Sequence, residues 1–306
     1  MRAVVYNEYS KDADTLQVAE VPKPKVGPGS VLIEVKAAGV NPVDWKVMAG
    51  YLDPIMDVHF PATPGWDVAG VVAAVGADTP EFKVGDEVMA YARKDVVQGG
   101  TFAEYVAVPA PTVARKPAGL GWAEAGGLPL TGGTALRTLD SLGELEGKTV
   151  VVYAAAGGVG SLAVQIAKAR GAKVIGTASE RNFDFVRQLG AEPVAYGEGE
   201  GERIRAAAGG PVDAVADFVG GQLETTLAIL AESGTHASIA DSSVAGHGGN
   251  YIWVRPSGAE TSRLGELFEA GQLKVEVAAT YPLEQVATAF KESQAGHVRG
   301  KLVIVP

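Results

Sequence analysis

The chain has 306 residues, enough to bury a large core and to hold two domains. Hydrophobic residues make up 47%, charged residues 20%, and glycine occurs 40 times, which excludes a disordered chain and fits a glycine-punctuated α/β protein. A formal charge of −10 with no dense basic run argues against nucleic acid or an anionic membrane as partner, and the lack of any cysteine excludes disulfides, thiolate catalysis and cysteine-containing zinc sites. The first hundred residues read as short strands, at Ala3 to Tyr6, Val31 to Ala37, Val68 to Val75 and Glu87 to Tyr91. Proline and glycine punctuate them, at Pro22, Pro24, Pro28, Gly29, Pro61, Pro64, Gly65 and Gly85, which predicts a compact barrel-like domain. The N-terminus carries Arg2, Glu8 and Lys11 and has no uninterrupted apolar core of a signal sequence, so a cytoplasmic location is expected.

From about Ala123 the composition turns to alanine and leucine, and helical periodicity begins. Val150 to Tyr153 form an apolar, β-branched run with the character of a strand buried on both faces, and Ser161 to Ala169 return apolar residues at helical spacing. Between them lies A-x-G-x-x-G, from Ala155 through Gly157 and Gly158-Val159 to Gly160. Small residues there let the backbone turn sharply and approach a pyrophosphate, whose charge then faces amide donors at a helix N-terminus. The βα alternation continues with a strand at Ala172 to Thr177, a helix at Arg181 to Leu189, and strands at Pro193 to Tyr196 and Asp213 to Val219. A helix at Gln222 to Leu230 and a strand at His236 to Ala240 follow, then a helix at Leu283 to Ala295 and a last strand at Lys301 to Val305. The alternation predicts an α/β fold, with a parallel sheet doubly wound by helices.

In such a fold an acid about 20 residues past the glycines binds the ribose 2′-hydroxyl of NAD. Nineteen residues past Gly160 stands Ser179, which cannot repel a 2′-phosphate, and Arg181 can neutralise one. NADPH is the expected cofactor. Glu180 keeps NADH open, since a rotated strand end brings it to the position of the acid.

Several further stretches share one order. They are A-A-G-V-N-P-V-D from Ala37, P-G-W-D-V-A-G-V-V from Pro64, G-D-E-V from Gly85, L-P-L-T-G-G-T-A from Leu128, A-A-G-G-V-G from Ala155 and G-K-L-V-I from Gly300. Together they resemble, nearly end to end, the zinc-free quinone oxidoreductase (zeta-crystallin-like) branch of the medium-chain dehydrogenase/reductase superfamily. The resemblance implies a GroES-like β-barrel catalytic domain over residues 1–120, a Rossmann dinucleotide-binding domain over 121–258, and a return to the catalytic domain over 259–306. It also implies a nicotinamide held between the domains, and a homodimer joined through the cofactor domain. Where zinc-dependent relatives have a cysteine ligand the chain has Asn41, and where they have glycine-histidine-glutamate it has Gly65-Trp66-Asp67. His59, His236, His247 and His297 form no pair at helical ligand spacing, so no metal is expected.

Carried over residue by residue, Asn41 resembles a cofactor-binding asparagine beside the nicotinamide and the substrate carbonyl, whose amide donates to developing oxyanion charge, with a purely loop-shaping Asn41-Pro42 as the alternative. Thr131 matches a threonine near the carboxamide, or satisfies its own helix start. Phe218-Val219-Gly220 resembles the segment whose backbone meets the carboxamide, and Tyr196 a tyrosine near the adenosine 2′-phosphate. Trp253 and Arg255 fall in a loop near the nicotinamide. Tyr51 is a candidate proton donor, whereas Trp45 reads as core. The implied activity is hydride transfer from NADPH to a small-molecule quinone or α,β-unsaturated carbonyl acceptor; the alternative is an NADPH-binding redox sensor or structural protein. A short-chain carbonyl reductase is excluded, because none of the nine tyrosines is followed by lysine four residues on.

Overall fold

The computed structural model describes every residue, Met1 to Pro306. It divides into two compact units, one of residues Met1–Leu130, Arg255–Glu269 and Val275–Pro306, the other of Thr131–Val254 and Ala270–Lys274. The elements up to residue 127 are β1 (Arg2–Val5), β2 (Gln17–Glu20), β3 (Ser30–Val40), α1 (Pro42–Met48), β4 (Asp57–Thr63), β5 (Asp67–Val75), β6 (Glu87–Tyr91), β7 (Val96–Gly99), β8 (Tyr105–Pro109), β9 (Val113–Arg115) and α2 (Trp122–Gly127). Then follow α3 (Pro129–Ser141), β10 (Thr149–Val152), α4 (Gly158–Ala169), β11 (Lys173–Ala178), α5 (Phe183–Gln188), β12 (Glu192–Ala195), α6 (Glu200–Ala208), β13 (Val212–Asp217), α7 (Leu223–Ile229), β14 (Leu230–Ser238) and β15 (Asn250–Tyr251). The chain closes with α8 (Gly258–Glu269), β16 (Val277–Pro282), α9 (Val286–Ala295) and β17 (Lys301–Val305).

In the first unit a seven-stranded sheet runs β16-β17-β3-β5-β6-β9, with β8 also paired to β3. All its pairings are antiparallel except β16 with β17. The long β3 is its spine. Val31, Ile33 and Val35 alternate into the core with Val72, Val88, Val106 and Phe102, which is the period of a half-buried strand. The last strand, β17, pairs Leu302, Val303 and Ile304 with Val40, Gly39 and Ala38. All three side chains are buried, each worth about 1.5–3 kcal/mol relative to exposure.

In the second unit six parallel strands run β12-β11-β10-β13-β14-β15. Numbered within the unit, that is 3-2-1-4-5-6, the doubly wound dinucleotide-binding order, with its switch point between β10 and β13. Val150, Val151 and Val152 of β10 are wholly buried because helices cover both faces.

Three predicted elements shift. The strand expected from His236 begins at Leu230, where A-E-S-G-T and an irregular register opposite Val212/Ala214 hide its β character. The helix expected from Arg181 opens with a 3₁₀ turn at Glu180–Asn182, and the one expected from Leu283 opens with another at Leu283–Gln285. No helix is long and apolar enough to cross a membrane.

Candidate functional site

The fingerprint turn leaves β10 at Tyr153 and enters α4 at Gly158. Ala154 takes a positive φ of 55°, and its amide donates to the Thr177 hydroxyl at 3.3 Å while that of Ala155 donates to the Thr177 carbonyl at 2.9 Å. Gly160 lets helix and strand approach, since a Cβ there would stand 2.2 Å from the Ala154 carbonyl oxygen. Alanine replaces the usual first glycine because β11 yields the space: a Cβ on Gly176 would lie 2.7 Å from the Ala155 methyl. A Cβ on Gly157 would meet only the Ala154 oxygen, at 3.3 Å, so the turn leaves an open cradle there. By helix geometry the amides of Gly158, Val159 and Gly160 have no intrahelical acceptor and present a positive dipole end. This cradle fits a dinucleotide pyrophosphate.

Because the strands are parallel, the segments after β10, β11, β12 and β13 emerge on one edge, and they carry most of the predicted cofactor residues. Register pairs Ala178 with Ala195, so Ser179 and Tyr196 are the next residues of adjacent strands. The Ser179 hydroxyl accepts from Asn182 Nδ2 at 3.2 Å; Glu180 and Arg181 are exposed in the 3₁₀ turn, and Tyr196 is 53% exposed. After β13, Asp217 Oδ1 accepts the amides of Val219 and Gly220, each at 2.9 Å, while Oδ2 accepts from Ser238 Oγ at 2.8 Å. That turn fixes Phe218-Val219-Gly220, with Gly220 at φ 86°. Thr131 lies buried in α3, and Trp253 is exposed beyond β15. Arg255 belongs to the first unit and is also exposed.

In the first unit, Asn41 precedes α1 and is 1% exposed. Its Nδ2 donates to Asp67 Oδ2 at 2.9 Å and to the Gly39 carbonyl at 3.3 Å, and its Oδ1 accepts from Lys301 Nζ at 2.6 Å. Only this amide orientation suits both a carboxylate and an ammonium. Both Nδ2 hydrogens are therefore committed inside the protein. Asn41 thereby ties β3, β5 and β17 together at the start of α1.

Lys301 also donates to the Val40 carbonyl at 2.7 Å, Asp67 Oδ1 accepts the Leu130 amide at 2.7 Å, and Asp44 Oδ2 accepts the Asn41 amide at 2.7 Å. Asp44 Oδ1 and the nearby Tyr6 hydroxyl are buried without a hydrogen-bond partner. Burial pushes the Asp44 carboxyl up to about 8, and the charge of Asp67 adds to this while Lys301 opposes it. Burial likewise raises Asp67 to about 6, and it lowers Lys301 against the pull of both carboxylates. Sequence reading missed this cluster. Its one signal was a lysine opening the apolar run K-L-V-I-V.

Tyr51 lies beyond α1 and is 56% exposed, with the Lys11 ammonium 5.4 Å from its ring centre. Trp45 packs against the core and donates from Nε1 to Ser293 Oγ at 3.2 Å.

Residues 27–118 match the alcohol dehydrogenase GroES-like domain, and residues 189–304 match the zinc-binding dehydrogenase family. The zinc of that description does not fit this chain, which has no cysteine and no group of three or more histidine or acidic side chains placed to hold a metal. The chain is 32% identical to the chloroplast envelope quinone oxidoreductase homolog of Arabidopsis thaliana, over all of this chain and 98% of that protein. It is 34% identical to the NADPH-dependent alkenal/one oxidoreductase of the same plant, over all of this chain and 80% of that one. The solved quinone oxidoreductase of Coxiella burnetii superposes with a TM-score of 0.89 at 32% identity, covering all of this chain and 99% of the other.

Proposed function

Because the chain belongs to the quinone oxidoreductase branch of the medium-chain dehydrogenase/reductase superfamily, we propose that it is an NADPH-dependent reductase of quinones or α,β-unsaturated carbonyl compounds that needs no metal. The observation that carries this reading is the fingerprint cradle at the switch point of a 3-2-1-4-5-6 sheet. When bound, NADPH supplies a hydride to an electron-poor carbon of the acceptor. The protein's own part is binding and orientation, which suffices for acceptors this electrophilic.

The amides of Gly158, Val159 and Gly160 face the pyrophosphate. Ser179 admits the 2′-phosphate and Arg181 lends it a positive charge, while Phe218-Val219-Gly220, Thr131, Trp253 and Arg255 serve the nicotinamide end. Tyr51 is the phenol that offers a proton to the reduced acceptor; solvent is the other source. The reading includes a homodimer joined through the second unit, supported by the exposed two-residue edge strand β15, whose outer side has no partner strand in its sheet.

The test is oxidation of NADPH by the purified protein against a panel of quinones, enals and enones, with and without chelator. Acceptor-dependent turnover that chelator leaves unchanged is expected, and no turnover on any acceptor overturns the reading. In a fluorescence titration, Arg181→Ala weakens NADPH and leaves NADH unchanged.

A further inference from the structure

The loop after β12 carries Tyr196 to the sheet edge, and glycines at 197 and 199 take φ of 100° and 72°. Such a loop needs something to define it. Arg203, one turn into α6, supplies it. Its Nε and Nη2 donate to the Ala195 carbonyl at 3.1 and 2.9 Å, Nη2 also reaches the Gly197 carbonyl at 3.3 Å, and Nη1 donates to the Glu198 carbonyl at 2.7 Å. Three carbonyls that bracket Tyr196 thus converge on one planar fork. The neighbouring strand pairs Ala178 with Ala195, so the held residue stands beside Ser179, where the general fold rule puts recognition of the ribose 2′ position.

We infer that Arg203 is a positioning residue for recognition of the cofactor's 2′-phosphate: by clamping the carbonyls of Ala195, Gly197 and Glu198 it keeps the Tyr196 phenol at the Ser179–Arg181 turn. The inference rests on the NADPH reading above. Arg203 acts through the loop, since its donors are committed to backbone oxygens. A lysine keeps the charge but cannot span three carbonyls, which separates geometry from electrostatics.

The experiment titrates the full-length wild type, Arg203→Ala, Arg203→Lys, Tyr196→Ala and the Arg203→Ala/Tyr196→Ala double variant with NADPH, NADH and adenosine 2′,5′-bisphosphate, and records a thermal melt of each without ligand. Losing a hydrogen bond to a charged phosphate weakens binding about tenfold, so both Arg203 variants should raise the NADPH and bisphosphate Kd by about that factor and leave the NADH Kd within about twofold. Tyr196→Ala should match them, and the double variant should lose no more than either single one. Arg203→Lys binding like wild type, additive losses, or equal loss for NADPH and NADH each overturn the inference. If Arg203→Ala does not fold, Arg203→Lys and Tyr196→Ala still decide it. A wild type that binds neither nucleotide overturns the functional reading itself; a wild type that prefers NADPH while the variants keep that preference overturns only the role of Arg203.

Discussion

Two carboxyl groups and one ammonium share the buried pocket at the start of α1, and full ionisation would leave it one negative charge in excess. The unpartnered Oδ1 of Asp44 has no donor to stabilise that charge, so the extra proton resides there. Burial pushes the Asp44 carboxyl up to about 8, against 3.8 for an ordinary aspartate. Between those values the native state binds more protons than the unfolded chain, so this site's contribution to stability falls as pH rises and is lost once pH passes the folded value. Asp44→Asn keeps an acceptor for the Asn41 amide and removes the titration. Melting midpoints of wild type should therefore fall relative to Asp44→Asn between pH 6 and 8.5, by at least about 1 kcal/mol or 2–4 °C. Parallel profiles would refute the assignment. Lys301→Met leaves the ionised Asp67 carboxylate without its cation and should cost about 3–5 kcal/mol at pH 7, read from denaturant midpoints.

Among the elements, the β10–turn–α4 unit was the most legible, because its glycines serve local backbone geometry that a sequence displays directly. The compensation at Gly176 was not legible, since it joins residues on different strands. It gives a double-mutant prediction. Gly176→Ala should destabilise the protein by about 1–3 kcal/mol through overpacking on Ala155 and Val186, and Ala155→Gly should relieve part of that cost. Gly160→Ala has no such remedy, because its clash is with a backbone carbonyl. It should lower the melting midpoint and abolish NADPH-dependent fluorescence together. Short polar strands such as β2, β4 and β7 escaped sequence reading because most of their residues face water, and pairing partners rather than periodicity define them.

At the scale of the whole molecule, the parallel alternation after residue 149 declared the second unit, and the apolar run at Lys301 declared a strand. Which strand it joins was not readable, because pairing β17 with β3 links residues about 260 positions apart. Chain ended after Gly300 should lose the cooperative unfolding transition of the first unit, since Leu302, Val303, Ile304 and Lys301 all leave its interior; differential calorimetry reads this directly.

That long-range pairing also imposes an order on synthesis. A ribosome delivers β3, Asp44 and Asp67 early, and the nearly contiguous Thr131–Val254 stretch can gather its own sheet while translation proceeds. The Ala38–Val40 margin of β3 and two desolvating acids must then wait for Lys301–Val305, which bring both the pairing strand and its cation. A nascent chain stalled before Lys301 therefore offers an open sheet margin to neighbouring polypeptides, until Lys301–Val305 seal it.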